Sequence, residues 1–301
     1  MNQFEKKVSA GYSKKIVLQI LLIFCLSVTE GCASTEPALA PEESLPAYIP
    51  AKHLILIGFD GWGGAYVSKS DMPTVKRMMA AGASSLYVKC VKPSNSLPNW
   101  TALFHGTAPE NQRTEPIPSI FTLVNNSNPD GKTVLFYEWN GLRDIIPDET
   151  IEKRKFRSDS ESASLAADFI IKEKPVFAAI IFNEPDSTGH SKRWGSADYS
   201  AKLAELDGFV AIIEQAAKDA GIYDSAVFVL SADHGGVLWG HGFNGSRQRR
   251  IPLVIYGSNI KEGYAIPKDR SICDIAPTMA AILGLEIPSG WTGQPIPGIF
   301  K

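Results

Sequence analysis

Two short segments hold most of the residues in this chain that could do chemistry. They are Asp186-Ser187-Thr188-Gly189-His190 and Asp233-His234, with His241 a few residues on. Carboxylate and imidazole together suit Zn²⁺, with Mn²⁺ as the alternative. The chain has five histidines, and three of them fall here. Asp60, after an apolar run, and Ser96, in a turn, complete a set of seven: Asp60, Ser96, Asp186, His190, Asp233, His234 and His241. Such a set can hold two divalent cations beside a hydroxyl nucleophile. Two ions roughly 3.5–4 Å apart clamp the attacking and leaving oxygens of an in-line displacement. A catalytic metal lowers the pKa of bound water from about 16 to about 7, and a serine activated in the same way needs no histidine base. The chemistry implied is hydrolysis of a phosphate ester or a related oxyester.

These residues must be positioned by a scaffold, and the hydrophobic pattern describes one. Apolar runs read as buried strands at 53–59, 84–91, 133–139, 176–182, 226–231 and 252–256. Helices are expected between them. One starts from Asp71 as N-cap with Pro73 in its first turn and stops at Gly82; others span 98–105, 160–172, 197–220 and 274–283. The longest has a single apolar stripe, Tyr199, Leu203, Leu206, Val210, Ile213 and Ala217, advancing by 4, 3, 4, 3 and 4. Strands alternating with helices predict an α/β fold: a mostly parallel central sheet with helices on both faces. In such sheets ligands bind beyond the carboxyl ends of the strands, where Asp60, Asp186 and Asp233 all fall. The Asp186–His190 segment reads as a turn that folds both heads toward one ion. His53 reads as a surface or strand-end residue. His105 closes a helix, where terminal carbonyls favour imidazolium, and reads as structural.

Composition sets outer bounds. The 301 residues are 44% hydrophobic and 21% charged, enough for one full α/β domain. A net charge of −2 gives no footprint for a nucleic-acid scaffold role. The four cysteines, Cys25, Cys32, Cys90 and Cys273, have neither disulfide-framework nor metal-ligand spacing. Cys90 and Cys273 are expected as buried free thiols. Residues 1–32 are read as a signal peptide of lipoprotein type: Lys6, Lys7, Lys14 and Lys15, then a 13-residue apolar run, then Gly31-Cys32. Glu30 departs from the small residue usual before such a cysteine, and ordinary cleavage near Ala33 is the alternative to lipid attachment at Cys32. Either route predicts an exported protein, periplasmic or anchored to a bacterial membrane. Residues 33–52, rich in Ala, Pro, Ser and Glu, read as a linker, and 53–301 as the catalytic domain.

The nucleophile lies in Lys92-Pro93-Ser94-Asn95-Ser96-Leu97-Pro98-Asn99-Trp100-Thr101. A hydroxyl just before a helix start faces outward, toward an anion drawn to the helix N–H groups. By chemistry alone both Ser96 and Thr101 qualify. The ordered motifs Asp60-Gly61, Ser96-Leu97-Pro98-Asn99, Glu184-Pro185-Asp186-Ser187-Thr188-Gly189-His190, Asp233-His234-Gly235 and His241-Gly242 resemble those of the alkaline phosphatase superfamily, in its type I phosphodiesterase/nucleotide pyrophosphatase family. The tail Asp274-Ile275-Ala276-Pro277-Thr278 with Gly293-Gln294-Pro295 is similar too. The resemblance implies an alkaline phosphatase-like three-layer sandwich. It implies one ion on Asp60, Ser96, Asp233 and His234 and a second on Asp186, His190 and His241. It implies a small-molecule phosphate ester substrate, attack by Ser96 and a phospho-seryl intermediate.

The chain also departs from that family. Relatives read Pro-Glu-x-His-Gly after the nucleophile helix, then a loop with a donor to the phosphate; here Pro109-Glu110-Asn111-Gln112-Arg113 lacks the His-Gly. Asn99 is the expected substitute contact, with Asn111 and Arg113 as alternatives. Leu97 stands where nucleotide-cleaving relatives often carry a stacking Phe, so a nucleotide substrate is less expected. Trp62, Trp100 and Trp194 are candidates to bind an apolar or sugar group, or to pack in the core. Trp100 stands where sulfatases resembling this family place Arg, which disfavours sulfate ester cleavage. The competing reading is a surface lipoprotein that keeps the fold and binds a ligand without turnover.

Overall fold

In a computed structural model, residues 48–111, 117–147 and 149–301 are described. The expected signal peptide, the cleavage or lipidation point at Cys32, most of the linker and Arg113 lie outside these residues.

An eight-stranded sheet forms the middle layer. Its strands are β1 (His53–Asp60), β2 (Ala83–Lys89), β3 (Thr133–Tyr137), β4 (Glu152–Lys155), β5 (Phe177–Pro185), β6 (Ala226–Ala232), β7 (Arg250–Gly257) and β8 (Tyr264–Ala265). The order is β4-β3-β5-β1-β6-β7-β2-β8. From β4 to β6 all neighbours are parallel, whereas β7 runs antiparallel to both β6 and β2. β1 lies at the centre and is buried along its length after His53, as a parallel strand covered on both faces must be.

The helices are α1 (Gly64–Val67), α2 (Pro73–Ala80), α3 (Ser96–His105), α4 (Ile120–Ser127), α5 (Asn140–Ile145), α6 (Asp159–Glu173), α7 (Asp186–Lys192), α8 (Ala197–Asp219), α9 (Ser246–Arg249) and α10 (Ile275–Ile282). They fall into two packed groups: α2, α6 and α7 gather around α8, while α4, α5 and α10 gather around α3. Together with the sheet they make the expected three layers. In α8 the predicted stripe from Tyr199 to Ala217 is fully buried. Each large apolar side chain buried this way contributes about 1.5–3 kcal/mol. Ser196 caps the helix by accepting from the Tyr199 N–H, and Gly221 follows its end with φ +71°.

Several boundaries differ from the sequence reading. Met72, not Asp71, is the N-cap of α2, and it makes no side-chain cap; Asp207 on α8 instead accepts from the Thr74 and Val75 N–H groups. The expected helix at 274–283 begins with a 3-10 turn, Ile272–Asp274, capped by Ser271. The short elements α4, α5 and β4 were not anticipated, although α4 buries a face of Ile120, Phe121 and Val124. The folded unit also starts before His53: the ring of Tyr48 stacks on Phe300 at 4.0 Å and the Ala51 N–H donates to Ile282 O at 2.9 Å. Cys90 and Cys273 are buried free thiols, as expected.

Candidate active site

The central strands β5, β1 and β6 are adjacent and parallel, so their carboxyl ends open on the same edge. Asp60 is the last residue of β1, Asp186 directly follows β5, and Asp233 directly follows β6. Topology alone thus gathers three carboxylates from sites up to 173 positions apart in the sequence. Gly61 lets the first approach the second. It has φ +74°, and a Cβ there would lie 2.9 Å from the Cα, Cβ and Oδ1 of Asp186. Its N–H donates to Asp233 Oδ1 at 3.0 Å, which ties the third carboxylate to the same turn.

Six of the seven predicted residues come together as two groups. Asp60, Asp233 and His234 form one, and Asp186, His190 and His241 the other; in each, ligand atoms lie within 4.8 Å of one another. Asp186 and His190 are not on a turn as expected. They open the helix α7, where a spacing of four places both on one face, with His190 Nε2 3.4 Å from Asp186 Oδ2. His234 and His241 stack at 3.9 Å between ring centroids, so the two groups share a wall.

The three imidazoles have one arrangement in common. Nδ1 of His190 is 3.0 Å from Trp239 O, Nδ1 of His234 is 3.0 Å from Gly235 O, and Nδ1 of His241 is 2.8 Å from Ser94 O. A carbonyl only accepts, so the proton belongs on Nδ1, and in the neutral ring Nε2 is a bare acceptor. The Nε2 atoms face inward: His234 Nε2 is 3.3 Å from Asp233 Oδ2 and 3.6 Å from Asp60 Oδ1, and His241 Nε2 is 3.6 Å from Asp186 Oδ1. Asp186 Oδ1 and Asp233 Oδ2 are buried without a hydrogen-bond partner. Acceptors facing acceptors, with nothing positive between them, is the donor chemistry of a cation site.

Electrostatics point the same way. Burial, then the charges of Asp233 and Asp186, push the Asp60 carboxyl well up. Burial pushes Asp233 up to about 6 and raises Asp186. Burial, then His241, pushes His234 down to about 3. A bound divalent cation reverses each penalty, because it favours the ionised carboxylate and the bare imidazole.

Ser96 stands against the first group. Its hydroxyl donates to Asp60 Oδ1 at 3.3 Å and lies 3.1 Å from His234 Nε2. It is the first residue of α3, and the N-cap Asn95 makes no side-chain cap, which leaves the first-turn N–H groups to a ligand. The Thr101 hydroxyl instead donates back to Leu97 O at 2.7 Å, one turn along the helix.

Asn99 does not serve as the substrate contact. It is fully buried; its carbonyl oxygen accepts from the Val91 N–H at 2.7 Å, and its two amide hydrogens go to Pro93 O and Asn95 O at 3.0 and 2.8 Å. With every hydrogen-bonding group used, it builds the turn that carries Ser96. The three tryptophans are core residues. Trp62 and Trp100 are fully buried and Trp194 nearly so. Two of them brace the site, Trp100 Nε1 donating to Asp60 Oδ2 at 3.4 Å and Trp194 Nε1 to Gly61 O at 2.9 Å. His105 is structural, as expected: it is buried with Nδ1 3.2 Å from Thr101 O, although desolvation lowers its pKa where the helix end was expected to favour imidazolium. His53 is a strand-end residue, Nδ1 2.7 Å from Pro175 O.

One supporting residue, Ser94, was missed. Its partners lie 147 and more positions away in the sequence, and no local pattern marks them.

Comparison with known proteins bears on the fold and the family. The chain is 25% identical over 241 residues to mouse (Mus musculus) ectonucleotide pyrophosphatase/phosphodiesterase family member 3, a match covering 69% of this chain and 27% of that protein. The chain therefore spans about a quarter of that relative's length. Among solved structures, murine ectonucleotide pyrophosphatase/phosphodiesterase 5, an inactive variant in complex with AMP, superposes with a TM-score of 0.65 at 13% identity, covering 79% of this chain and 96% of that one. A 2-O GAG sulfatase superposes with a TM-score of 0.67 at 13% identity, covering 81% and 73%. At such identities the likeness is one of fold. The profile of the type I phosphodiesterase / nucleotide pyrophosphatase family matches residues 54–113 and 126–239, more than half of the sequence and all of the site residues but His241. The chain belongs to that family.

Proposed function

We propose that the protein is an exported, metal-dependent phosphoric ester hydrolase with Ser96 as its nucleophile. The observation that carries this reading is the set of three Nε2 atoms, each fixed by an Nδ1–carbonyl bond and aimed at carboxylates, with the Ser96 hydroxyl 3.1 Å from one of them. Asp60, Asp233 and His234, with Ser96, would hold one divalent ion, and Asp186, His190 and His241 the other. The donor set suits Zn²⁺, or Mn²⁺. When bound, the ions supply positive charge to the phosphate oxygens and lower the pKa of the attacking hydroxyl.

The remaining work belongs to the chain. Asp60 Oδ1 holds the Ser96 proton. Ser96 Oγ attacks phosphorus as its proton leaves by way of Asp60 Oδ1 to solvent, the ester P–O bond opposite it breaks, and the departing oxygen takes up a proton from water. Water then cleaves the phospho-serine and restores the hydroxyl. In-line displacement sends the leaving oxygen out opposite Ser96 Oγ. Leu97, 52% exposed beside Ser96, borders a cavity of about 530 Å³ that Thr101, Ile117 and Ile145 also line. That cavity has room for an organic group of the ester, and Leu97 offers no ring to stack on a base. The substrate class is therefore a small phosphate ester with an apolar substituent, in preference to a nucleotide. The leader features before residue 33 support export, with lipid attachment at Cys32.

The test is hydrolysis of aryl phosphate mono- and diesters by protein stripped of metal and then reloaded with Zn²⁺ or Mn²⁺. Turnover that disappears on chelation and returns with either ion is expected. No turnover by protein carrying stoichiometric metal would overturn the proposal, and turnover of an aryl sulfate in its place would reassign the substrate. Mass analysis of the mature N-terminus tests lipidation.

A further inference from the structure

The turn that presents the nucleophile and the loop that presents His241 are joined by one buried side chain. Ser94 is fully buried. Its hydroxyl donates to Phe243 O at 2.8 Å and accepts from the Gly242 N–H at 3.1 Å. Its carbonyl accepts from His241 Nδ1 at 2.8 Å and from the Gly242 N–H at 3.1 Å. Three successive residues of the loop, His241, Gly242 and Phe243, thus close on one serine two positions before the nucleophile. Gly242 permits the approach: its φ is +95°, and a Cβ there would lie 2.8 Å from Asn95 Oδ1. On the other side Asn99 knots the turn to Val91, Pro93 and Asn95. The turn is rigid, and the loop hangs on it.

We infer that Ser94 is a positioning residue for the second cation site, setting where His241 Nε2 stands relative to Ser96. His241 supplies its group with a ligand from a loop, whereas Asp186 and His190 come from the start of one helix. The loop residue therefore depends most on outside support. The Ser94 carbonyl fixes the tautomer and tilt of the ring, and the Ser94 hydroxyl fixes the backbone on its C-terminal side. A substitution at Ser94 keeps the carbonyl and removes only the hydroxyl, so what it releases is the loop backbone at Gly242 and Phe243 that holds the His241 ring against that carbonyl; losing support of this outer kind typically weakens metal affinity about 10- to 100-fold. Ser94 makes none of the hydrogen bonds that hold the carboxylates of the first group: Asp60 accepts from Trp100, and Asp233 from the Gly61 and His234 N–H groups. The inference rests on the proposed use of two ions, and its effect is site-selective.

The test is Co²⁺ and Zn²⁺ titration of the metal-stripped full chain, followed by calorimetry and by the visible Co²⁺ spectrum. Wild type is expected to bind two ions. Ser94→Ala is expected to bind one with wild-type affinity and the other about 10- to 100-fold more weakly, with a changed Co²⁺ spectrum for the weakened site. Ser94→Cys fills the site with a slightly larger atom that bonds weakly through sulfur; it is expected to show the same selective loss and carries the test if the alanine variant does not fold. Two sites of unchanged affinity in both variants, or two sites weakened equally with a lowered melting temperature, would overturn the inference and leave the two-ion reading intact. Wild type that binds no ion would overturn both.

Discussion

His190 Nε2 and His241 Nε2 lie 3.0 Å apart, although each ring already gives its Nδ1 proton to a backbone carbonyl. Two neutral rings held this way bring lone pair against lone pair. Asp186, 3.4 Å from one ring and 3.6 Å from the other, supplies only further acceptors. The arrangement is repulsive without a cation and well formed around one. Asp186→Asn is therefore expected to abolish tight binding of one ion and leave the other in place, a stoichiometry that metal analysis after dialysis reads directly. Loss of both ions would show that the two groups are not separable sites.

Ser96→Ala removes the nucleophile while Asp60, Asp233 and His234 remain. Turnover is expected to fall by roughly 10³-fold or more, with substrate still bound. Acid-quenched wild-type enzyme should carry a phosphate on Ser96 that mass spectrometry locates and that the variant lacks. A variant with wild-type turnover would remove Ser96 from the chemistry.

Asn99→Ala tests the corrected role of that residue. The substitution leaves the Val91 N–H and two carbonyls of the turn without their partner. Stability is expected to drop by about 1–3 kcal/mol, and kcat to fall with little change in KM. A raised KM with unchanged denaturant midpoint would return Asn99 to the substrate.

Gly61→Ala places a side chain at φ +74°, with its Cβ 2.9 Å from atoms of Asp186. Backbone strain of this kind costs about 1–3 kcal/mol, and relief of the clash moves Asp186 away from Asp60. Lower thermal stability together with weaker metal binding is expected; a variant with wild-type metal affinity would show that the turn tolerates the change.

Stability has a pH dependence away from the metal ligands. Asp159 accepts from the Asn183 and Glu184 N–H groups at the end of β5, yet burial pushes its carboxyl up to about 6. An unfolded aspartate titrates near about 4. Between these values the unfolded chain has lost the proton that the folded chain keeps, so this contribution to stability is full below about pH 4 and is lost as pH rises through about 6. Asp159→Asn cannot titrate. The wild-type advantage over it, from urea melts, should shrink by on the order of 2 kcal/mol between pH 4 and 7. A constant difference would contradict the shifted carboxyl.

The sequence was most legible where one physical cause dominates. Central strands buried on both faces read as continuous apolar runs, and β1, β5 and β6 were placed to within a few residues, which in turn put Asp60, Asp186 and Asp233 on one edge. The stripe of α8 was equally plain. Short exposed elements such as β4 carry no period, and antiparallel β7 reads like its parallel neighbours because strand direction leaves no mark on composition. Local polar chemistry was hardest to read. Asn99 looked available because an amide beside a nucleophile suits a phosphate, and only coordinates show its three bonds turned inward. Ser94 looked ordinary because its partners arrive from a loop 147 and more positions away in the sequence.

The most direct measurement is anomalous diffraction from crystals of the full chain grown with Zn²⁺. Two peaks are expected, one bounded by Asp60, Asp233 and His234 beside the Ser96 hydroxyl, the other by Asp186, His190 and His241. A single peak, or none at either group in crystals that hold zinc elsewhere, would contradict the two-ion site on which the proposed reaction depends.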